Sequence, residues 1–451
     1  MYRTLSGPLN CQLEVTTACN NKCLHCYNYW RASSKTEVPL TLANGRKIMH
    51  MIADAGVHEI TFTGGEPLLN FNVLVACLEL ANESGIKPYL NSNLVTLTKQ
   101  KAMTLKNLGI NSVLTSVMGP NAEVHDAIAQ RKGAFKRTLA GIGIAQDAGI
   151  RVSANMVVSQ MNLNVIKDTA MLVVSLGMKS FNATKVGCPG NCSDFSDMSL
   201  TKKQFIQYMT ELVAVSKETG LKCGHLEPYP LCTLASVDGA SDLESRRCPA
   251  GVTTCTISSG GDVRPCSHLD IQYGNLLVES IIDVWQRMDD WRRTAYVPQF
   301  CSSCKMVSMC GGGCRMESKM HSDGDLSAAD PYMTAGGVEA AMRIHKMKVS
   351  QTKPLSEERN GNRFRLRKYR IRKESFGASV TVLETNGRIG SFFLDHAGLS
   401  VLEQFHQECT YVPHDPRIDW SGIEDVEGFC TALIKRGGAI TQEEGGEEIG
   451  S

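Results

Sequence analysis

Three cysteines near the start of the chain are spaced so that one short loop can carry them all. Cys19, Cys23 and Cys26 form a CxxxCxxC pattern directly after an apolar segment at residues 12–16. Three thiolates on one loop can ligate three irons of a [4Fe–4S] cluster and leave the fourth iron open. An open coordination position is typical of a reactive centre, whereas a structural zinc loop, the alternative, needs four ligands.

A second motif follows the next predicted strand, at residues 58–63. It reads Gly64-Gly65-Glu66-Pro67. Glycines let the backbone approach a ligand closely, and the carboxylate of Glu66 can accept a hydrogen bond from an ammonium group. This motif is weak evidence alone and strong evidence when it follows a CxxxCxxC loop.

Together the two motifs resemble those of the radical S-adenosylmethionine (SAM) superfamily. In that family the open iron chelates SAM, the cluster donates one electron, and a 5′-deoxyadenosyl radical abstracts a hydrogen atom. The resemblance implies that the three cysteines bind the cluster and that Gly64, Gly65 and Glu66 hold the methionine amino group. It also implies SAM contacts for Asn93 and Ser116, for which a strand-end cap and a packed loop hydroxyl are the alternatives.

Short apolar runs alternate with segments of helical periodicity through the first half of the chain. The predicted strands lie near residues 12–16, 58–63, 87–91, 112–116, 152–158 and 180–184. The predicted helices include residues 40–55, 71–84 and 135–148. Repeated strand–helix units imply parallel pairing with right-handed crossovers. We therefore predict an α/β fold, the partial (β/α)6 TIM barrel of the resembled family, with both motifs at the C-terminal strand ends.

A second group of cysteines lies between residues 248 and 314. Cys248 is followed by a Gly261-x4-Cys266 pattern, and further on comes a CxxCx5Cx3C quartet that contains three glycines. The quartet lacks a helical period, and a zinc ribbon is the alternative interpretation. The whole arrangement resembles the SPASM extension of radical SAM enzymes, which binds two auxiliary [4Fe–4S] clusters.

By that resemblance each auxiliary cluster has its own set of ligands. The first would be held by Cys248, Cys255, Cys266 and Cys314, and the second by Cys301, Cys304 and Cys310. The family's last cysteine falls in a DPYC-like segment, which here reads DPYM. The second cluster is therefore expected to have an open iron or an unusual ligand, for which the candidates are Asp323, Asp325, Asp330 and Met333.

The other cysteines have a simpler interpretation as small buried apolar side chains. This group comprises Cys11, Cys77, Cys223, Cys232, Cys409 and Cys430. Cys188 and Cys192 form a closer pair after the sixth strand, where contact with substrate or metal is the alternative.

The composition shifts beyond residue 335. Residues 335–349 predict a helix and residues 351–362 a linker. Residues 363–373 (RFRLRKYRIRK) carry seven positive charges and no acid, which predicts an amphipathic strand with a solvated basic face. Two strands around an Asn-Gly turn, an Asp395-capped helix and a helix at 426–436 follow.

This order resembles a winged-helix-like α+β unit, the peptide-recognition element typified by the pyrroloquinoline-quinone peptide chaperone family. Such elements bind a leader peptide as an added strand. The chain then divides into a radical SAM barrel at 1–225, a SPASM domain at 226–340, a helix and linker at 341–362, a PqqD-like domain at 363–442 and a disordered tail at 443–451.

The composition of the whole chain argues against a nucleic-acid-binding protein, a membrane protein and a secreted disulfide-rich protein. The 451 residues have a net charge of +1, which gives no general field for nucleic acid or membrane. The N-terminus has no signal-peptide pattern, and no apolar run approaches the length of a membrane span. The 18 cysteines therefore indicate reduced thiols in a cytoplasmic protein rather than a disulfide scaffold.

These features predict an oxidoreductase-type maturase of a ribosomally made peptide. We expect three [4Fe–4S] clusters and SAM as cofactors, and a precursor peptide with a leader and a flavodoxin- or ferredoxin-type electron donor as partners. The expected product is a thioether or carbon–carbon cross-link, with epimerisation and backbone excision as alternatives. Sulfatase maturation is a further alternative, against which Ser267 stands where that family has a catalytic aspartate. A cluster-bearing regulatory protein that binds DNA is the non-enzymatic alternative.

Overall fold

The computed structural model describes residues 4–28, 39–187, 197–240, 243, 246–334, 364–366, 369–382, 391–406, 409–435 and 439–441. The described residues of Gly7–Thr352 form one compact unit, and those of Lys353–Ser451, with Arg3–Ser6, form a second. Several predicted features lie outside the described residues: the helix at 335–349, the linker, the Asn-Gly turn, the tail and the pair Cys188 and Cys192.

A ten-stranded sheet runs through the first unit. Its strands are β1 Asn10–Thr16, β2 Glu59–Gly64, β3 Lys87–Asn91, β4 Ser112–Ser116, β5 Arg151–Val158, β6 Ser180–Lys185, β7 Lys222–Gly224, β8 Thr254–Ile257, β9 Asp262–Arg264 and β10 Gly274–Asn275. The strand order is β10-β9-β8-β1-β2-β3-β4-β5-β6-β7. Strands β1 to β7 pair in parallel with their neighbours in chain order, so their C-terminal ends share one edge.

Helices connect the parallel strands. They are α1 Leu42–Asp54, α2 Phe71–Glu83, α3 Lys99–Asn107, α4 Ala122–Ala129, α5 Ala134–Asp147, α6 Ile166–Ser175 and α7 Lys202–Thr219. Several of these helices begin with an N-cap threonine. The side-chain hydroxyls of Thr41, Thr98 and Thr201 each accept a hydrogen bond from a backbone N–H group in the first helical turn. The strand–helix alternation confirms the predicted α/β barrel, with the six predicted strands displaced by at most two residues.

The cysteine-rich region adds to this sheet. Strand β8 pairs in parallel with β1, and β9 and β10 complete an antiparallel edge. The buried guanidinium of Arg264 in β9 donates to Glu14 in β1 at 2.5 Å and to the carbonyl oxygens of Ser267 and Leu269. The short helices of this region are α8 Leu231–Leu234, α9 Ile281–Gln286, α10 Asp289–Arg292, α11 Val307–Cys310 and α12 Arg315–Met320.

The described residues of the second unit form two three-stranded antiparallel sheets and two helices. Its strands are β11 Phe364–Leu366, β12 Tyr369–Glu374, β13 Gly377–Val382, β14 Ser391–Leu394, β15 Thr410–Tyr411 and β16 Ala439–Thr441, and its helices are α13 His396–Gln404 and α14 Val426–Lys435. The sheet orders are β15-β11-β16 and β12-β13-β14. The carboxylate of Asp395 accepts from the Gly398 N–H at 2.8 Å, which confirms the predicted cap. Across the described residues of both units, no helix has the length and apolar character that crossing a membrane requires.

Candidate active site and cysteine clusters

The CxxxCxxC loop follows β1 at the C-terminal edge of the sheet. The Asn21 N–H donates to the sulfur of Cys19 at 3.4 Å, and the Cys26 N–H donates to the Cys23 carbonyl at 3.2 Å. Two further N–H groups of the loop donate to carbonyl oxygens at the end of α4. All three thiols are half-buried and free of disulfides. The structure therefore holds them on one tight, anchored loop.

The two glycines at the end of β2, Gly64 and Gly65, pack directly against the end of β1 and the start of this loop. The Gly65 N–H donates to the Thr16 carbonyl at 2.6 Å, and the Glu66 N–H donates to the Ala18 carbonyl at 2.8 Å. A Cβ atom on Gly65 would collide with the Ala18 carbonyl, and Gly64 has a φ of +117°. Only glycine fits both positions, because the backbone of β1 comes close to Gly64 and the backbone at the start of the cysteine loop comes close to Gly65.

Glu66 is buried and joins the ends of two strands. One carboxylate oxygen accepts from the Leu68 N–H at 3.0 Å and the Ser92 hydroxyl at 2.7 Å, and the other accepts from the Asn93 N–H at 2.8 Å. Burial raises the pKa of Glu66 above its usual range. In this structure the carboxylate positions the strand ends, and its bond to an ammonium group stays a prediction.

Asn93 lies beside the first cysteine. Its side-chain amide donates to Asn20 Oδ1 at 2.6 Å and lies 3.9 Å from the Cys19 sulfur. Ser116 ends β4, where it is half-buried and pairs in register with Asn155 of β5. The structure thus brings Asn93 to the cysteine loop, while Ser116 lies on β4, one strand further along the same edge.

An aromatic contact that the sequence analysis missed links two cysteine loops. The ring of Tyr27 stacks on His268 with the ring centroids 4.6 Å apart, and its hydroxyl lies 3.4 Å from Thr63 Oγ1. Burial raises the pKa of Tyr27 to about 12. The signal in the sequence was the aromatic residue directly after Cys26, and the contact joins that loop to the segment that carries Cys266.

Among the four cysteines predicted for the first auxiliary cluster, Cys248 raises the pKa of two others. Burial and then repulsion from Cys248 raise the pKa of Cys266 to about 11. Burial, Glu227 and Cys248 likewise raise the pKa of Cys314. The His268 N–H donates to the Cys266 sulfur at 3.4 Å. The structure therefore groups Cys248, Cys266 and Cys314.

Cys255, the fourth predicted ligand, has a different neighbour. It lies within β8, directly opposite Cys11 of β1, and the two sulfur atoms are 3.6 Å apart in the buried core. Strand alternation directs this thiol to the face that Cys11 occupies. Its role as a ligand stays a prediction, to which this contact adds no support.

The trio predicted for the second auxiliary cluster comes directly before a glycine-rich turn in the chain, at residues 311–313. The Cys304 N–H donates to the Cys301 carbonyl at 3.0 Å. N–H groups of Gly312, Gly313 and Leu231 point at the Cys310 sulfur. All three glycines between Cys310 and Cys314 have positive φ angles, which turn successive N–H groups to one side.

The predicted oxygen candidates contact other groups. The carboxylate of Asp330 is buried and accepts from the N–H groups of Cys314 and Tyr332, each at 3.0 Å. The carboxylate of Asp325 accepts from Ser327, and Asp323 occupies a left-handed turn with φ 51°. Asp330 therefore touches a cysteine of the first set, and the contacts give no support to an oxygen ligand for the second cluster.

A buried ion cluster was missed because its members come from three separate segments. The ammonium of Lys185, at the end of β6, lies 3.0 Å from Glu227 and 2.8 Å from Glu317. The same ammonium is 5.0 Å from the ring centroid of Tyr332. Burial raises the pKa of Glu227 to about 7. A lone lysine at a strand end gave no indication of these partners.

The thiols are of the ligand type that iron–sulfur clusters use, and backbone N–H groups contact three of them. No three His, Cys, Asp or Glu side chains among the described residues form a site for one metal ion. A cluster holds its irons at separate corners, so its ligands need not converge on one point. The N–H groups directed at Cys19, Cys266 and Cys310 are of the kind that stabilises cluster sulfur.

The basic strand of the second unit is partly neutralised by its own neighbours. Arg372 is buried and donates to Glu374 at 2.7 Å, so it is not on a solvated face as the pattern predicted. The exposed ammonium of Lys373 lies 3.0 Å from Glu403. The strand β12 that carries these residues is the first in the order β12-β13-β14 and so forms one edge of its sheet.

Two family models match the chain. Residues 13–173 match the radical SAM superfamily, and residues 248–305 match SPASM, an iron–sulfur cluster-binding domain. The first range contains the CxxxCxxC loop and the glycine motif. The second contains five of the predicted auxiliary ligands, and Cys310 and Cys314 lie beyond its end.

Similar proteins cover about three quarters of the chain. An AdoMet-dependent heme synthase of Nitratidesulfovibrio vulgaris is 27% identical over 73% of this chain and 94% of its own length. A PqqA peptide cyclase of Rhizobium meliloti is 23% identical over 72% of this chain and 86% of its own. The structure of Streptococcus suis SuiB bound to precursor peptide SuiA superposes with a TM-score of 0.57 and 17% identity, covering 74% of this chain and 77% of that one.

Proposed function

Because this chain belongs to the radical SAM superfamily and carries its SPASM iron–sulfur domain, we propose that it is a maturase of a ribosomally made peptide. Its proposed product is a thioether or carbon–carbon cross-link. The observation that carries the proposal is the interlocked loop and glycine motif, with Asn93 beside Cys19 at the C-terminal strand edge.

The residues have distinct proposed roles. Cys19, Cys23 and Cys26 hold three irons, and Gly65 and Glu66 fix the loop against the strand ends. When bound, the clusters and SAM supply one-electron chemistry: abstraction of a hydrogen atom from the peptide and removal of the second electron that a cross-link leaves. Asn93 and Ser116 orient SAM at the same edge. Two auxiliary clusters, a flavodoxin- or ferredoxin-type donor and a cytoplasmic setting with reduced thiols complete the proposal.

A peptide substrate is supported by what similar proteins do. One relative is named a PqqA peptide cyclase, and the superposed SuiB structure contains a precursor peptide. The second unit supplies an edge strand, β12, which offers backbone groups for an added strand. The exposed Lys373 on this strand suits a leader with acidic residues.

Chemistry on a heme precursor is a second candidate. The relative named AdoMet-dependent heme synthase is 27% identical over 351 residues, which is a higher identity than that of the peptide cyclase. The barrel and the cysteine sets would serve either substrate. The second unit, at residues beyond 363, is the feature that favours a peptide.

A mass-spectrometric assay separates the two candidates. The anaerobically reconstituted protein is reduced and given SAM with either a peptide encoded beside its gene or an iron-containing or metal-free tetrapyrrole. Peptide-dependent 5′-deoxyadenosine with loss of two hydrogens from the peptide supports a cross-linking maturase. Peptide-dependent 5′-deoxyadenosine without a mass change indicates epimerisation. Turnover with the tetrapyrrole alone would contradict the proposal, and a variant with Cys19, Cys23 and Cys26 changed to Ala is the control.

A further inference from the structure

The second auxiliary set has three cysteines in sequence pattern, and helix α8 lies against it. The Leu231 N–H, in the first turn of α8, donates to the sulfur of Cys310 at 3.4 Å. Cys232 is the next residue along the chain. Cys232 is therefore adjacent in sequence to the residue whose N–H group contacts Cys310, one of the proposed ligands.

Two further contacts hold α8 at this place. Gly313, in the glycine turn after Cys310, lies so close to Pro230 that an added Cβ would be 2.9 Å from the proline ring. At the other side the Thr233 hydroxyl donates to the Tyr332 carbonyl. The residue after Tyr332 is Met333, where the family pattern has its last cysteine. Cys232 thus lies in sequence between Pro230, which contacts the glycine turn, and Thr233, which contacts the segment of Tyr332 and Met333 where the expected cysteine is missing.

Cys232 is also near the other members of the set. After burial, an electrostatic interaction with Cys232 is among the causes that raise the pKa of both Cys301 and Cys310. It is half-buried, whereas Cys11, Cys77 and Cys223, unassigned cysteines of the same unit, are fully buried. Its surroundings are thus those of a ligand-bearing loop rather than of a packed core.

We propose that Cys232 is the fourth protein ligand of the second auxiliary cluster, together with Cys301, Cys304 and Cys310 and in place of Met333. This inference rests on the proposed presence of that cluster. Four thiolate ligands leave no open iron, so the cluster would transfer electrons rather than bind substrate. This assignment replaces the expectation of an open iron or an oxygen ligand.

The first experiment isolates the auxiliary clusters. Full-length protein with Cys19, Cys23 and Cys26 changed to Ala is reconstituted anaerobically, and we expect about eight irons per chain, the content of two [4Fe–4S] clusters. Cys232→Ala in this background should lower the iron content and remove or alter one reduced-cluster signal in electron paramagnetic resonance. Cys223→Ala, a buried cysteine elsewhere in the unit, and Met333→Ala should leave both signals unchanged. Unchanged signals in Cys232→Ala, or their loss in Met333→Ala instead, would overturn the assignment.

The second experiment needs no variant and so is independent of misfolding. Unmodified holoprotein and protein stripped of iron by a chelator are alkylated with iodoacetamide, and each cysteine is quantified by mass spectrometry. Cys232 should be protected in the holoprotein together with Cys301, Cys304 and Cys310, and all four should react after stripping. Protection of those three with full alkylation of Cys232 refutes the ligand role but retains the cluster. Equal alkylation of all four before and after stripping refutes the cluster and the inference together.

Discussion

The loop at residues 19–26 and the auxiliary cysteine sets place thiols in opposite ways. The loop takes its three cysteines from eight consecutive residues and is held by a glycine motif at the end of the neighbouring strand. The auxiliary sets draw on segments that are far apart, from Cys248 to Cys314 and, by our inference, from Cys232. A site built from neighbouring residues therefore depends on backbone fit, whereas a site assembled from distant segments depends on the contacts that bring those segments together.

The largest effect is expected where backbone fit is tightest. Gly65→Ala would push the Ala18 carbonyl and displace the cysteine loop, so 5′-deoxyadenosine formation should fall about 100-fold, as it does for small misplacements of reacting groups. The rate is measured with reconstituted protein and SAM under reducing conditions. Gly143→Ala in α5, where an added Cβ meets nothing within 4 Å, is the control and should keep full activity. Equal activity in both variants would show that the loop is not held by this contact.

The next prediction concerns the contacts that assemble the distant segments. Lys185→Met leaves the buried carboxylates of Glu227 and Glu317 without their cation, so the free energy of unfolding should fall by about 3–5 kcal/mol. Denaturant unfolding followed by circular dichroism measures the change. Lys167→Met, which breaks an exposed pair with Glu218, is the control and should leave the free energy of unfolding nearly unchanged.

A rescue variant sharpens this test. Adding Glu227→Gln and Glu317→Gln to Lys185→Met removes the buried negative charge as well as its partner. Stability should then recover in part, because the largest cost is that of unpaired buried carboxylates. A triple variant less stable than Lys185→Met would show that the lysine acts through packing instead.

The same comparison explains which parts of the fold and of the site could be predicted from the sequence. The strands were predictable because apolar residues such as Ile60 and Phe62 repeat at a spacing that reports burial directly. The loop and the glycine motif were predictable because their residues are neighbours in sequence. The Lys185 cluster and Cys232 were not, because each depends on where separate segments meet in the folded chain. The contact of Cys255 with Cys11 was hidden for the same reason, since it depends on the register of β1 and β8.

A smaller effect separates SAM binding from cluster assembly. Asn93→Ala removes an amide beside Cys19 but no thiol, so the iron content should stay unchanged while the KM for SAM rises about tenfold, the loss expected of one hydrogen bond to a charged ligand. Ser116→Ala, on the neighbouring strand β4, is the matched comparison and should raise the KM for SAM by less. Loss of iron in Asn93→Ala would instead assign the residue to holding the loop.

The smallest effect is expected at the edge strand of the second unit. Lys373→Ala removes an exposed ammonium from β12, so the Kd for an acidic leader peptide should rise about two- to fivefold, which is the range for exposed ion pairs. Titration at low and high salt measures it, and the difference from unmodified protein should shrink at high salt because exposed charges are screened. Lys136→Ala, an exposed lysine of α5 in the first unit, is the control. If both variants bind the leader equally well, the leader contact does not involve Lys373, and the main-chain edge of β12 becomes the feature to test.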